Sequence, residues 1–571
     1  MTDPTSPTLP ASAALAGSAD AATRDPRSAA EPDDPAARVP VLDAIRALAF
    51  VGDLSMGQPV DHSARTAWLA ARLARTAGAD RAAIDEAACV ALLRWSGCTA
   101  NAPEFSTLLG DDVRGRDTML TTASAAQAAA FAAGVGEMAL IHCEVAGEIA
   151  RMLGLPASVE LALRHVFENW NGLGAPAGLR GDQVPAAVYH VALAGDLEIF
   201  SRAHGLTAAL RQIAERADAR YPRTLVDLVI AHAASWLAAL DDGAHERDAL
   251  ALDAAVDAAV DASRHDFGAP ASGAAHDGTR SSAIGASLAT LETPLALVAD
   301  VIDLKLPWMT GLSRRVAEAA RATGAALGLD AADQARLHRA GLLHGIGRAS
   351  VPNALWNEGR RLGEADRERL RLMPYWTGRA ARRLSALTAE AELASYVDER
   401  LDGSGAFRGV AGAAIPRPAR VLIAAACWVT LRTARPGRPA ATLEAARATL
   451  RAEARAGRLD VEAVEALCGA IPRTASTAAS TAAAPGTAGA VAATAAPPQA
   501  ATAGDAIALS AREAEVLARI AIGDSNKEAA RELGISPSTV RTHLESAFRK
   551  LGCSTRAAAT LKAMTLGLLP V

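Results

Sequence analysis

Short polar and cationic side chains cluster near the C-terminus, in a stretch whose pattern predicts a helix ending at Leu551. Its apolar residues are spaced by four, four and three positions, which places them on one stripe facing a core: Val540, Leu544, Phe548 and Leu551. The opposite surface holds Ser538, Thr539, Arg541, Thr542, Ser546 and Arg549. Hydroxyl and guanidinium groups arranged in this way are suited to contact base edges and phosphates in the major groove of DNA.

The residues before this helix predict a helix-turn-helix that would position it. Asn526 is predicted to cap a helix, because its side-chain oxygen can accept an orphan backbone N–H, and Gly534 supplies the left-handed residue that ends that helix. Ser536 then caps the next helix, with Pro537 at the first helical position, where a missing N–H costs nothing. Residues 509–570 are therefore predicted to form four short helices.

This segment resembles the LuxR-type DNA-binding domain. The resemblance rests on Leu-Ser-Ala-Arg-Glu at 509–513, on the turn Glu-Leu-Gly-Ile-Ser-Pro at 532–537 and on Lys-Leu-Gly at 550–552. It implies double-stranded DNA as the partner and a homodimer that pairs through the last helix, about Thr555–Leu566. The segment 505–571 has nine basic and seven acidic residues, so a single copy should bind weakly and a dimer is needed for useful affinity.

The DNA contacts are expected on six side chains of this segment. Lys527 is the predicted phosphate partner, and Ser538, Thr539 and Thr542 are the predicted readers of bases. Arg541 and Arg549 complete the set. The net charge of the whole chain is −5, so contact with nucleic acid must be local.

Upstream, residues 41–240 and 287–472 read as two diverged copies of one helical unit. Each copy has a Leu-Leu-x-x-x-Gly turn and a later Gly-x-Gly loop, at Leu92–Gly97 and Gly172–Gly174 in the first, and at Leu342–Gly347 and Gly403–Gly405 in the second. Repeated anatomy of this length predicts two similar helical domains rather than a solenoid.

These features resemble the HD-GYP domains, which are metal-dependent phosphohydrolases that cleave cyclic di-GMP. Leu-Leu-His-Gly-Ile-Gly at Leu342–Gly347 differs by one residue from the family's Leu-Leu-His-Asp-Ile-Gly. The resemblance implies an all-α fold, with two diverged HD-type helical domains followed by the four-helix LuxR-type domain. It also implies a site where imidazoles and carboxylates hold divalent ions that lower the pKa of a bound water.

The first copy lacks the centre of that ligand set. Arg94 and Trp95 stand at the His-Asp pair, and a guanidinium or an indole has no lone pair to give a metal. Val166 and Phe167 stand at the family's later histidine pair. Three family positions survive as residual metal candidates: His62, His142 and Asp196.

The second copy retains less. His344 is followed by Gly345, and the other family positions hold Leu312, Met373, Val397, Asp398 and Cys427. His344, with Asp398 and Cys427 as remote helpers, does not amount to a coordination shell. We therefore expect no catalytic residues and no cofactor, while a residual divalent metal in the first domain stays open.

Three hypotheses for the function follow. The first is a DNA-binding transcriptional regulator whose catalytically degenerate HD-type domains serve sensing or dimerisation. The alternative is a metal-dependent phosphohydrolase or cyclic-dinucleotide phosphodiesterase with a DNA-binding tail. The third is a receptor for a small-molecule or nucleotide ligand, in which Arg94 grips a phosphate; its competing interpretation is a buried Arg94 paired with a carboxylate.

The remaining segments set the domain limits and the compartment. Residues 1–40 are predicted as a disordered tail, and 241–286 and 473–504 as linkers rich in small residues. Six cysteines without a Cys-x-x-Cys pair, and the lack of a signal peptide or membrane span, predict a reduced cytoplasmic protein with no membrane partner.

Overall fold

The computed structural model describes residues 37–121, 125–243, 288, 290–356, 361–470 and 508–569, and the side chains of residues 119–135 are excluded from it. The predicted tail up to residue 36, most of the first predicted linker and all of the second lie outside the described residues.

The described fold is all-α, as predicted, apart from two three-residue strands. The first helical block begins with strand β1 (Arg38–Pro40), which lies inside the segment predicted as a tail. Ten helices follow: α1 (Val41–Ser55), α2 (His62–Thr76), α3 (Arg81–Leu93), α4 (Ala102–Leu109), α5 (Asp112–Thr121), α6 (Ala125–Met152), α7 (Ala157–Arg164), α8 (Ala186–His204), α9 (Leu206–Glu215) and α10 (Arg223–Asp241).

The second helical block begins with strand β2 (Glu292–Pro294). Its helices are α11 (Leu295–Asp303), α12 (Leu312–Ala326), α13 (Ala331–Leu343), α14 (Glu364–Arg371), α15 (Met373–Ala381), α16 (Thr388–Ala394), α17 (Arg417–Arg432), α18 (Leu443–Arg455) and α19 (Val461–Ala470). The C-terminal domain consists of α20 (Ala511–Ala521), α21 (Asn526–Leu533), α22 (Pro537–Leu551) and α23 (Arg556–Thr565).

The strands that precede the two blocks pair with each other. β1 and β2 are antiparallel, with Val39 opposite Thr293. Each strand ends in a proline, Pro40 or Pro294, that directly precedes the first helix of its block. Proline is tolerated there because the first turn of a helix leaves its N–H groups without intrahelical partners.

Matched hydrogen bonds show that the blocks are copies of one unit. In the first block, Asp53 accepts hydrogen bonds from the backbone N–H and hydroxyl of Ser63. In the second, Asp303 accepts the same two bonds from Ser313, at 2.8 and 2.9 Å. Both carboxylates are buried and lie ten residues before the serine, so each fixes the start of the block's second helix.

The Gly-x-Gly loops are matched as well. The buried carboxylates of Glu168 and Glu399 each accept two backbone N–H groups from the segment that follows the loop. The first glycine of each loop has a positive φ, 80° at Gly172 and 79° at Gly403. The second glycine is required for a different reason, since a Cβ there would overlap the backbone beside the glutamate.

Buried polar contacts join the two blocks. Lys305 Nζ lies 2.8 Å from Asp112 Oδ2, and both side chains are fully buried. Asp112 Oδ1 also accepts the backbone N–H of Asn353 at 2.6 Å. Ser385 donates its N–H and its hydroxyl to Asp43 of α1. An ion pair in this setting must be fully hydrogen-bonded, because an unpaired buried charge is strongly destabilising.

One described helix, α10, has the length and apolar composition that a membrane-spanning helix needs. Its buried residues pack onto the core of the first block: Leu225, Val226, Val229, Ala233, Trp236 and Leu240. Other apolar residues of the helix stay outside this core, and Ile230 is 45% exposed.

Candidate functional sites

The helix-turn-helix of the C-terminal domain is held by side-chain caps. The cap of α21 is Ser525 rather than the predicted Asn526, because Ser525 and Glu528 exchange hydrogen bonds across the first turn. Gly534 adopts the predicted left-handed conformation, with φ 66°. Ser536 caps α22 as predicted, and its hydroxyl accepts the backbone N–H of Thr539 at 3.1 Å.

The polar surface of α22 is open to solvent. Four of the six predicted DNA contacts are exposed on it: Ser538, Arg541, Thr542 and Arg549. Lys527, on α21, is exposed as well, and Thr539 is half-buried. On the opposite side of α22, Val540, Leu544 and Leu551 are buried in the core of the domain, as their spacing predicts.

Hydrogen bonds within the domain engage some of these side chains. Thr539 Oγ1 lies 2.8 Å from Ser536 Oγ, so its hydroxyl belongs to the cap network. Arg541 Nε donates to Glu545 at 2.8 Å, and both partners are exposed, so the pair contributes little and can be exchanged for a phosphate contact. Thr542 donates to the carbonyl of Ser538, which leaves its hydroxyl oxygen able to accept.

The C-terminal domain contacts the first helical block near its last helix and the second block at the end of α20. Seven of the ten residues of α23 are buried. At its start, the N–H of Ser554 donates to Glu144 of α6 over 2.5 Å. Farther along, Lys562 Nζ lies 3.6 Å from Glu148 Oε1 of the same helix. From the second block, the hydroxyl of Thr310 donates to the carbonyl of Ala521 at 2.8 Å. The helix implied as the pairing surface is therefore covered within the chain.

In the first block, His62 is fully buried beside a carboxylate. Its Nδ1 lies 2.6 Å from Glu198 Oε2, so Nδ1–H is the donor. Its Nε2 makes no hydrogen bond with any described residue. Glu198 is also held by Arg65 at 3.1 Å and by Arg202. Burial acts to raise the pKa of Glu198, but His62 and Arg202 outweigh it and hold that pKa at about 2.

His142 and Asp196, the other two residual candidates, have protein partners. His142 Nε2 lies 2.8 Å from the carbonyl of Arg94, and its Nδ1 lies 3.7 Å from the thiol of Cys98. Burial lowers the pKa of His142 to about 3, so the ring is neutral and both nitrogens are in use. Asp196 accepts from Tyr221 and from Arg216, the latter at 3.0 Å.

The Arg94 guanidinium occupies the centre of the first block. Arg94 is 2% exposed, and its Nη1 lies so close to Gly195 that a Cβ on that glycine would overlap it. It stacks on Trp95, 4.2 Å from the ring centroid. Burial lowers its pKa to about 10, with Asp196 acting in the opposite direction. Its Nε and Nη1 make no hydrogen bond with described residues, so these two atoms are not paired with a carboxylate.

An arginine also fills the centre of the second block. His344 donates from Nδ1 to the carbonyl of Gly341 at 2.6 Å, which leaves Nε2 to accept from Arg348 Nη2 at 2.8 Å. Burial and the nearby arginine lower the pKa of His344 to about 3. Arg348 Nη1 lies where a Cβ on Gly345 would overlap it, so the arginine fills space that the family gives to an aspartate.

A cavity of about 890 Å³ opens beside Arg348. Five family positions of the second block line it together: His344, Met373, Val397, Asp398 and Cys427. Asp398 and Cys427, predicted as remote from His344, thus lie around the same cavity. Its other lining residues include Trp356 and four further arginines that sequence reasoning missed: Arg367, Arg371, Arg400 and Arg438. The abundance of arginines in α14 and in the loop after α17 is the sequence signal that could have revealed these lining residues.

The described residues of the two blocks hold no donor set that fits a divalent ion. Among the described residues, no three or more His, Cys, Asp or Glu side chains converge in a way that would hold one. His62 Nε2 makes no hydrogen bond with a described residue, and the lone pair of His344 Nε2 accepts from Arg348. A guanidinium at each centre adds a positive charge that repels a metal cation.

Comparison with known proteins places these features in two families. Residues 296–463 match the family model described as HD domain. Residues 508–563 match the model described as bacterial regulatory proteins, luxR family. The chain contains an HD domain and a LuxR-type DNA-binding domain. The matched hydrogen bonds of the two blocks make the first block a second, diverged HD-type domain, and the LuxR-type domain makes the protein a DNA-binding regulator.

Two relatives match this chain over very different lengths. The 3′3′-cGAMP-specific phosphodiesterase 3 of Vibrio cholerae is 24% identical over 440 residues, 72% of this chain and 90% of the relative. The HTH-type transcriptional activator RamA of Corynebacterium glutamicum is 52% identical over 56 residues, 10% of this chain and 20% of the relative.

Among solved structures, a cyclic GMP-AMP specific phosphodiesterase of V. cholerae has 21% sequence identity and a TM-score of 0.48, covering 75% of this chain and 97% of that one.

Proposed function

We propose that this protein is a cytoplasmic transcription regulator whose HD-type domains do not hydrolyse phosphodiesters and instead control the C-terminal domain. The observation that carries the proposal is a buried guanidinium at each HD centre, Arg94 in the first and Arg348 in the second. Hydrolysis of this kind depends on metal-activated water, and these centres supply a fixed organic cation in place of the ions.

The DNA-binding half of the proposal is supported by the exposed surface of α22. Ser538 and Thr542 stand exposed one helical turn apart, and Arg549 extends the polar surface toward the end of the helix. Lys527 is exposed on the preceding helix, where a phosphate contact would set the orientation of the domain. Ser538, Thr539 and Thr542 are proposed to contact bases, with Arg541 and Arg549 contributing further DNA contacts.

The regulatory half is supported by the contacts of α23. Glu144 and Glu148 of α6 hold this helix against the first domain, while Thr310 binds the end of α20 from the second. We propose that the protein binds DNA as a homodimer paired through α23. Pairing then requires the helix to leave the HD-type domains, so any event that loosens this contact raises DNA affinity.

Two assays on the full-length protein test the proposal. Purified protein should retard DNA fragments recovered by repeated selection from a random pool, with a dependence on salt that reports phosphate contacts. The same protein, incubated with 3′3′-cGAMP and Mn²⁺, should leave the nucleotide intact. Hydrolysis that is lost on His62→Ala would overturn the proposal in favour of a phosphodiesterase with a DNA-binding tail.

A further inference from the structure

We infer that the junction between the two HD-type domains carries a binding surface for single-stranded nucleic acid, where aromatic rings stack on unpaired bases and guanidinium groups bind phosphates. This junction surface consists of six side chains from α1, from α15 and the turn after it, and from the loop before α17: Phe50, Tyr375, Trp376, Arg379, Arg383 and Phe407. None of them lines the cavity beside Arg348. The inferred function is separate from the binding of duplex DNA by α22.

Four aromatic rings form a continuous line across the junction. The ring centroids of Phe407 and Tyr375 are 5.5 Å apart, those of Tyr375 and Trp376 are 4.9 Å apart, and those of Trp376 and Phe50 are 6.3 Å apart. Neighbouring rings are inclined by 49°, 66° and 54°, so no ring lies flat on the next. Phe50 is buried, whereas the other three rings are half-buried and keep part of their surface in solvent. Such rings can stack on bases.

The ring at one end of the line is held by a strained backbone. Phe407 has a φ of 77°, in the left-handed region that an aromatic residue rarely adopts. Its carbonyl accepts a hydrogen bond from Arg371 Nη1 at 3.3 Å, and its ring packs beside Tyr375. Backbone strain of this kind persists only where surrounding contacts fix it, and it is concentrated at functional sites. Here the strained residue extends the line of rings at the surface.

Two arginines beside the rings have no carboxylate partner in the described part of the chain. Arg383 is exposed and Arg379 is half-buried. The guanidinium carbon of Arg379 lies 5.8 Å from the ring centroid of Tyr375 and 5.9 Å from those of Phe50 and Trp376. Arg383 lies 5.6 Å from the centroid of Phe50. These distances are near the limit of about 6 Å for a cation–π contact, so both groups can bind a phosphate while they stay beside the rings.

The carboxylates around the junction surface are engaged elsewhere. Asp43 lies 3.2 Å from Arg46 and is itself buried. Glu392 lies 3.2 Å from Arg382 and 2.9 Å from Arg408, so one carboxylate serves two guanidinium groups. Neither acid neutralises the two arginines of the junction surface, which therefore presents an excess of positive charge.

Like charges are also held close together at this surface. Burial lowers the pKa of Arg46 and Arg383 acts in the same direction, while Asp43 opposes both. Repulsion between arginines costs stability, and packing the two domains together does not require it. An anionic partner would remove that cost.

The combination of rings and cations selects the kind of anion. An acidic peptide would neutralise the arginines but would leave the rings without stacking partners. Duplex DNA keeps its bases stacked on one another inside the helix. A single strand offers both phosphates and unpaired bases, so it is the polyanion that uses every component of the junction surface.

Fluorescence anisotropy of the full-length protein tests the inference. The probes are short labelled oligo(dT) and oligo(rU), with an excess of unlabelled duplex DNA present to occupy the LuxR-type domain. Binding is expected to weaken with salt, and the tighter of the two probes identifies DNA or RNA as the preferred strand. Tyr375→Ala should weaken binding about fivefold or more, the value of one stacked base, whereas Tyr375→Phe keeps the ring and should bind as the wild type does.

Matched arginine variants separate the junction surface from general charge. Arg383→Ala and Arg211→Ala each remove an exposed guanidinium that forms no ion pair with a described residue, and Arg211 lies on α9, outside the junction surface. Only Arg383→Ala should weaken binding, by about tenfold, the value of one charged hydrogen bond. Thermal unfolding checks that each variant folds.

Three results would overturn the inference: no binding of either single strand, unchanged affinity in both Tyr375→Ala and Arg383→Ala, or equal losses in the two arginine variants. Displacement of the probe by polyglutamate as readily as by unlabelled oligonucleotide would overturn it in favour of an acidic protein partner. Duplex binding by α22 is measured separately and is unaffected by these outcomes.

Discussion

Arg348 Nη2 lies 2.8 Å from Nε2 of His344 and takes up the lone pair that a metal ion would need. The same guanidinium leaves no room for a Cβ at Gly345. The retained histidine and the lost aspartate are thus explained together, since a glycine at this position admits the arginine and the arginine gives the histidine a new partner. His344 acts here as a neutral acceptor.

The metal content of the protein should reflect this arrangement. After exposure to iron, manganese and zinc followed by desalting, elemental analysis of the full-length protein should find no stoichiometric ion. His344→Ala should leave that result unchanged, because Nε2 already accepts from Arg348. One ion per chain, lost on His62→Ala, would show that the free Nε2 of His62 belongs to a working site.

A negative charge added to the exposed surface of α22 should abolish DNA binding. In Thr542→Glu, a carboxylate would face the phosphates and bases, and a gel-shift titration should show no specific complex. Thr107→Glu is the control, since Thr107 is also exposed and also donates to the carbonyl four residues before it. Specific binding that survives in Thr542→Glu would disprove the assignment of the recognition helix.

Loosening the contact between α6 and the C-terminal domain should strengthen DNA binding. Glu144→Lys removes the acceptor of the Ser554 N–H and puts a positive charge in its place. Loss of one charged hydrogen bond should raise the apparent affinity for selected DNA by roughly tenfold. Glu137→Lys, an exposed position on the same helix, adds the same charge without touching the contact. An equal gain in both variants would attribute the effect to charge alone.

Removing the lysine of the buried pair between the blocks should destabilise the protein. Lys305→Met leaves Asp112 charged, buried and without its cation, at a cost of about 3–5 kcal/mol in the free energy of unfolding. Arg451→Ala breaks an exposed pair with Glu465 and should change the free energy of unfolding little, because solvent screens such pairs. Urea unfolding measures the loss of stability in both variants. Similar losses would show that the buried pair stabilises the protein no more than the exposed pair does.

The stability of the second domain should depend on pH through Asp303. Burial raises the pKa of this carboxyl from 3.8 to about 7, with Arg348 and Ser313 acting in the opposite direction. The native state therefore holds a proton that the unfolded chain has released between these values, and this stabilisation is lost as the pH rises toward 7.

Asp303→Asn removes that pH dependence, because the amide stays neutral. The free energy of unfolding of the variant, relative to the wild type, should rise by on the order of 1–3 kcal/mol between about pH 5 and about pH 8. Urea titrations at the two pH values measure the difference. A difference that stays constant with pH would show that Asp303 is already ionised in the native state.

The sequence predicted the features that depend on local chemistry. As expected, Gly534 ends the first helix of the helix-turn-helix and Ser536 caps the second. The apolar stripe of α22 faces the core. The cap of α21 was misplaced by one residue, because Ser525 and Asn526 are both good capping residues and only the partner Glu528 decides between them.

Contacts between distant segments were not predictable from one sequence. Arg348 is an unremarkable residue in a turn until the fold places it against His344 and Asp303. The covering of α23 by α6 joins residues about 400 positions apart, and no local pattern marks it. The two-domain organisation could be predicted because the same turn motifs occur in both copies. The contacts between the units could not be predicted, because they involve surfaces that carry no repeated motif.

The antiparallel pairing of β1 with β2 has a consequence for stoichiometry. Val39 lies opposite Thr293, so equivalent segments of the two copies meet across a local dyad inside a single chain. The described residues nevertheless contain one DNA-binding domain for these two copies. A pair of chains on palindromic DNA would therefore hold four HD-type domains for two DNA-binding domains, and the signals of four domains would converge on one DNA site.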